Sequence, residues 1–157
     1  MNNEVSAEVY SSALKIGDQA EIFAIVMRDL QWRVLNSSEN GLPAEVNAEW
    51  QAEHSRYEPT SFAYRITAFL TAKTTDVEVY TLTISHELFF KVPAELEISE
   101  SEFEAFGSTS VLQMVYPYIR EWVSRLTSSG GLNTFIMPPL RLSTKQSGTA
   151  VPLPFDE

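Results

Sequence analysis

The sequence predicts an α+β subunit in which a four-stranded antiparallel sheet, a meander, is followed by one long kinked helix with no second C-terminal helix. Apolar and polar residues alternate with a period of two in segments between Glu21 and Val92, and turn-forming residues separate those segments. From Val111 to Leu126 the period changes to 3.6. With 157 residues, 44% hydrophobic and 20% charged, the chain has the composition of one ordinary soluble domain. Folding at that size buries roughly 70% of the unfolded surface.

Residues 1–19 form an N-terminal arm, weakly helical through Val5, Val9 and Leu14. Glu4 and Glu8 stand where a secretion signal needs positive charge. Glu21 to Leu35 reads as the first strand. Its apolar residues occupy both faces at Ile22, Phe23, Ile25 and Val26 but only one at Leu30, Trp32 and Val34, which predicts a bulge near Arg28 and Asp29. A loop follows from Asn36 to Pro43. In the second strand, Val46, Ala48, Trp50 and Ala52 oppose Glu45, Asn47, Glu49, Gln51 and Glu53, leaving one wet face. The third carries Phe62, Tyr64, Ile66, Ala68 and Leu70 on one side, and a turn over Lys73 to Asp76 leads into the fourth, Val77 to Val92, as a hairpin.

Ser99 with Glu102, and Ser101 with Glu104, have the capping-box spacing that opens a helix. Gly107 separates a short entry turn, Pro117 removes one helical N–H and predicts a kink, and Gly130-Gly131 ends the helix. Leu132 to Leu142 is apolar but broken by Pro138-Pro139, and residues 143–157 read as an extended tail.

Charge and residue usage exclude several classes of function. The net charge of −10 disfavours nucleic acid and anionic membrane, because phosphate binding needs a cationic face. Residues 1–104 hold 18 acidic and 7 basic side chains, and residues 105–157 hold 3 and 4, so the acidity belongs to the first two thirds. There is no cysteine, hence no disulfide or thiolate site, and two histidines, His54 and His86, are too few for histidine-rich metal chemistry. The glycines never fall as G-x-G or ahead of a lysine, and carboxylate pairs sit on wet strand faces with no source of a shifted pKa. No catalytic residue, metal or cofactor is assigned. The longest apolar run, Ile22 to Met27, is far short of the ~20 residues that span a bilayer. Four strands present a wider apolar face than one helix covers, so the chain is expected to associate through the first-strand edge and the helix.

Val115-Tyr-Pro-Tyr-Ile-Arg-Glu121, then Gly130-Gly131 and Phe135-Ile-Met-Pro-Pro-Leu140, resembles the SecB family of bacterial protein-export chaperones. The resemblance runs over residues 20–142 and is firmest at Pro117, Arg120 and Glu121. It implies a cytoplasmic homodimer or dimer of dimers that holds non-native polypeptides without ATP, for export or for a dedicated client such as an antitoxin. Client contact is then expected at Leu132, Phe135, Ile136, Met137 and Leu140 with Trp50, and oligomer contact at Trp122, Val123, Arg120 and Glu121. Asp29 matches one acidic position used for docking the translocase motor, whereas Arg33 and Thr83 stand at two others. The second helix usual in the family has no counterpart in the tail. A non-enzymatic adaptor assembling with one fixed partner is the alternative reading.

Overall fold

The computed structural model describes residues 4–36, 45–74, 77–132, 134–138, 140 and 143–145. Among them the elements are β1 (Glu4–Ser6), α1 (Ala7–Gly17), β2 (Glu21–Val34), β3 (Glu45–Glu58), β4 (Ser61–Thr74), β5 (Val77–Lys91), α2 (Glu100–Phe106), a π-helical turn (Gly107–Val111), α3 (Leu112–Ser129) and β6 (Ser143–Lys145). The loop expected at Asn36 to Pro43 lies outside the described residues after Asn36, as do Thr75 and Asp76 of the Lys73–Asp76 turn and the tail beyond Lys145. No helix follows α3 among the described residues.

The four long strands form one antiparallel sheet, as the alternation predicts, but their order is β2-β5-β4-β3. The meander therefore holds for β3, β4 and β5, while β2 crosses to the far side and pairs with β5. The reason is burial. Leu82, Ile84, Leu88 and Phe90 of β5 are buried on one face and Ser85 and Glu87 on the other, so β5 needs neighbours on both sides. Acidic β3, with Glu45, Glu49 and Glu53 exposed, suits an edge. In β2 the register shifts between Met27 and Asp29, at the expected bulge, and also between Ile22 and Ala24. Beyond the predicted fold, Glu4–Ser6 pairs in parallel with Ser143–Lys145.

Even-numbered side chains from Phe62 to Leu70 on β4 meet Phe90 to Leu82 on β5 in register, and this inner face receives the helices. The arm from Glu100 to Ser129 is helical without interruption, passing through Pro117. Its entry is fixed by Ser99: the Ser99 Oγ accepts from the Glu102 N–H, and the Glu102 carboxylate accepts from the Ser99 N–H at 2.8 Å. That backbone bond, reinforced by Lys15 at 2.9 Å, holds the Glu102 carboxyl below its ordinary range. Lys15 also donates to the Glu97 carbonyl at 2.9 Å, tying α1 to the start of the arm, while Ala13 and Ile16 bury α1 in the core.

Tyr64 sits at the centre of the contact between sheet and arm. Its ring lies 5.8 Å from Phe106 and 6.1 Å from Phe90, and its hydroxyl donates to the Phe103 carbonyl at 2.7 Å. Burial, with the charge of Glu100 behind it, raises the phenol pKa, so the hydroxyl remains a donor. Gly107 opens the π-helical turn directly over this ring, and a Cβ there would meet Tyr64 Cε1 at 2.7 Å. Only a glycine lets the helix come this close. His54, opposite Tyr64 on β3, stacks on Phe103 at 5.1 Å and pairs with Glu100 at 3.1 Å.

Gly107→Ala should therefore force the Tyr64 ring to move and destabilise the fold by about 1–3 kcal/mol. Tyr64→Phe, which removes the hydroxyl's bond to the Phe103 carbonyl while the Gly107 N–H still donates there, should cost about 1 kcal/mol. Thermal unfolding followed by circular dichroism measures both, and an unchanged midpoint for Gly107→Ala would show that the helix is free to sit elsewhere.

Candidate functional site

Beyond Ser129 the chain turns at Gly130 and Gly131, the latter at φ 75°, a left-handed conformation that glycine adopts without a steric penalty. The Leu132 N–H then donates to the Thr127 carbonyl at 3.1 Å, and the chain returns along α3. Two buried side chains pin this return loop. Thr127 Oγ1 accepts from the Phe135 N–H at 3.0 Å while donating to the Val123 carbonyl at 2.9 Å. Further along, the Tyr116 hydroxyl donates to the Pro138 carbonyl. Burial pushes the Tyr116 phenol up to about 12 against the opposing charge of Arg120, which keeps it a donor at neutral pH.

Between these pins the side chains alternate. Phe135 is half-buried against the core, Ile136 is 62% exposed, and Met137 is 0% exposed. Met137, expected among the residues open to a client, is a core residue instead. The pins at Phe135 and Pro138 set the parity that turns it inward.

An open groove of about 780 Å³ lies between this loop and α3. Gln113, Pro117, Arg120 and Ser124 line the helix side, Tyr116 contributes where its hydroxyl reaches the loop, and Ile136 and Leu140 line the loop side. Glu121 and Arg125 complete the lining and pair with each other at 2.6 Å. Of the residues expected to meet a client, Ile136 and Leu140 line the groove. Leu132 and Phe135 pack partly against the core, and Trp50 stands behind the groove, its ring 5.8 Å from that of Tyr116.

Arg120 and Glu121, assigned from sequence to an oligomer contact, are on the groove wall. Trp122 packs half-buried on the core, and Val123 is fully buried within the subunit, facing the sheet rather than a partner. Sequence reasoning missed Gln113, Tyr116, Pro117, Ser124 and Arg125. The signal available was the helical spacing of Gln113, Pro117, Arg120 and Ser124, which puts them on one stripe.

A second apolar surface runs from the β2 edge onto the helix. Ile22 and Met27 are open there, and Met27 is in register with His86, whose ring lies 6.2 Å from Tyr118 of α3. Tyr118 and Met114 are exposed on the helix beside it. Phe23, 52% exposed, turns to the other face, where its ring lies 5.9 Å from that of Phe89. His86 is buried, its Nδ1 has no partner among the described residues, and burial pushes its pKa down, toward the neutral ring. On the opposite face of the sheet, Asp29 is exposed and accepts from Gln31 at 3.1 Å, while the neighbouring Arg28 pairs with the buried Glu87 at 2.5 Å. Arg33 is exposed and Thr83 half-exposed on these strands.

The architecture defines a class of protein: an α+β subunit whose antiparallel sheet is backed by one helical arm, with a groove open between arm and return loop. The chain belongs to the SecB family, described as preprotein translocase subunit SecB, whose sequence profile matches residues 14–144. Among solved structures it is similar to the Rv1957 SecB-like chaperone of Mycobacterium tuberculosis, solved in complex with a ChAD peptide from the Rv1956 HigA1 antitoxin. That likeness has a TM-score of 0.76 at 22% identity and covers 85% of this chain and 99% of the other. A weaker likeness, to a Streptococcus agalactiae protein of unknown function, has a TM-score of 0.46 at 11% identity over 71% of this chain and 89% of the other. No curated protein matches the chain by sequence.

The two sides of the loop should separate in a stability measurement. Met137→Ser removes a fully buried side chain and should lower stability by about 2–5 kcal/mol. Ile136→Ser should leave it within about 0.5 kcal/mol, as surface substitutions do. Urea unfolding of the two variants beside the parent checks this, and equal losses would mean that Ile136 is packed in solution.

Proposed function

We propose that this chain is a chaperone that binds exposed apolar segments of non-native polypeptides in the groove between α3 and the return loop, without catalysing a reaction and without a nucleotide. The observation that carries the reading is the loop: two hydrogen bonds and a buried Met137 hold Ile136 outward, so an apolar side chain is presented to a client by a rigid backing. Membership of the SecB family supports it. The peptide held by the mycobacterial relative supports a client presented as a polypeptide segment, such as part of an antitoxin.

The working assembly in this reading is a cytoplasmic homodimer or dimer of dimers. The β2 edge and the exposed Met27, Met114 and Tyr118 supply its contact, since an apolar strip of this kind is otherwise left to water. Docking to the translocase motor is not part of the proposal, because Asp29 shares its strand surface with Arg28 and Arg33.

Aggregation of several unrelated unfolded proteins should be suppressed by the parent chain, and Ile136→Ser should weaken that protection at unchanged stability. Burial of an isoleucine contributes about 1.5–3 kcal/mol, so the client Kd should rise about tenfold or more. Protection of none of the clients would favour the fixed adaptor. Light scattering should report a dimer or tetramer, and Tyr118→Glu, which puts a charge into the strip, should shift it toward monomer. A monomeric parent would remove the assembly from the proposal.

A further inference from the structure

Helix α1 is only partly supported by the body on which it packs. Lys15 ties one flank to the arm through Glu102 and the Glu97 carbonyl, and Ala13 and Ile16 are buried in the core. Residues 7–11, by contrast, are all exposed. Ala7, Tyr10 and Leu14 fall at i, i+3 and i+7, which makes them one apolar stripe, with Tyr10 38% and Leu14 44% exposed. Isolated helices shorter than about 12 residues are marginal in water, so a helix of 11 residues that is open on this side gains stability from a second contact.

The chain itself delivers an occupant to this stripe. Ser6, the last residue of β1, is in register with Lys145 of β6, and α1 begins at Ala7. Because the two short strands are parallel, the chain beyond Lys145 leaves beside the first turn of α1, one strand spacing of about 4.8 Å away. The residues that follow are Gln146-Ser-Gly-Thr-Ala-Val-Pro-Leu-Pro-Phe-Asp-Glu157. Val151 and Leu153 each precede a proline, which biases them to extended backbone, and a period of two puts Val151, Leu153 and Phe155 on one side. Pro152 and Pro154 have no N–H, so the segment suits contact through side chains rather than addition as a strand. The lengths agree. Val151 to Phe155 covers about 13 Å when extended, Ala7 to Leu14 rises about 10.5 Å, and residues 146–150 bridge up to about 17 Å.

We propose that residues 151–155 dock on the Ala7, Tyr10 and Leu14 stripe of α1 in the same chain, with Leu153 and Phe155 set against Tyr10 and Leu14. The pairing at Lys145 tethers the segment beside its own α1, which gives this stripe an effective concentration that the stripe of another copy lacks. With β1 and β6 the docked segment forms a strap. Leu140, on the loop side of the groove, is then held before it by the Tyr116 bond to Pro138 and after it by the strap. The contact covers α1 whatever the groove binds, so it stands apart from the client-binding reading.

Hydrogen exchange of the full chain, read by mass spectrometry at the amides of residues 11–15, tests the docking. Phe155→Ser and Leu14→Ser should each speed exchange there about tenfold, as loss of one buried apolar side chain would. Because the two side chains share one contact, the double variant should exchange no faster than either single one. Phe155→Leu, which keeps an apolar group, should retain most of the protection. Circular dichroism at the parental level shows that the variants fold, and Tyr10→Ser replaces Leu14→Ser in the cycle should the latter lose helicity. Parental exchange in Phe155→Ser would overturn the docking, as would effects of the two substitutions that multiply. Faster exchange at residues 134–138 in place of α1 would put the segment in the groove and overturn the proposal. Light scattering should give the parental mass for Phe155→Ser; a smaller mass would put the segment on a second copy and overturn the occupant proposed here.

Discussion

The contact of Gly107 with the face of Tyr64 is the constraint on which the rest of the molecule depends. How closely a helix approaches its packing partner depends on the side chains at the contact. Here one position without a side chain lets the arm drop onto a tyrosine ring, and the ring's hydroxyl takes the Phe103 carbonyl one turn earlier. Height and rotation of the arm are thereby set at its entry. Everything downstream inherits them: Val115, Ile119 and Val123 meet the sheet, Tyr116 lands beside Trp50, and the stripe from Gln113 to Ser124 is left facing outward.

The return loop shows how a rigid apolar surface is built without a second layer of structure. An apolar segment with free rotation would collapse onto the nearest hydrophobic surface and close the groove. Thr127 and Tyr116 prevent this by taking one backbone N–H and one carbonyl of the loop, at points between which the side chains alternate between burial and exposure. Phe135 and Met137 are consumed as anchors, and Ile136 is left over. The exposed residue is therefore a consequence of its neighbours' burial, and that burial supplies the stability that its own exposure forgoes.

Charge is distributed to suit such a surface. The acidic excess lies in residues 1–104, and much of it is on β3, where Glu45, Glu49 and Glu53 are exposed along one sheet edge. An edge strand with a row of like charges resists pairing with a second edge, and a large net charge keeps a molecule with apolar strips dispersed. The β2 edge has no comparable row; Ile22, Phe23 and Met27 are open there. The two edges of one sheet thus differ in whether they repel or invite a neighbour.

What the sequence determined by itself was local. Strand parity on β3 and β4, the bulge near Arg28, the capping box at Ser99, the glycine stop and the family motif at Pro117 to Glu121 are all written in spacings of a few residues, because pleat, turn and helix repeat over that distance. Strand order was decided only by tertiary structure, since β2 and β5 meet across more than forty intervening residues and period-two alternation says which face is buried but not which neighbour buries it. The fate of the return loop was decided there too. Leu132, Phe135, Ile136, Met137 and Leu140 are equally apolar in the sequence; the positions of Thr127 and Tyr116 on a helix already seated by Gly107 determine which of them faces inward. Arg120 is the same case. Its position on a motif was legible, but its place on a groove wall beside a self-paired Glu121 and Arg125 required the loop to lie opposite.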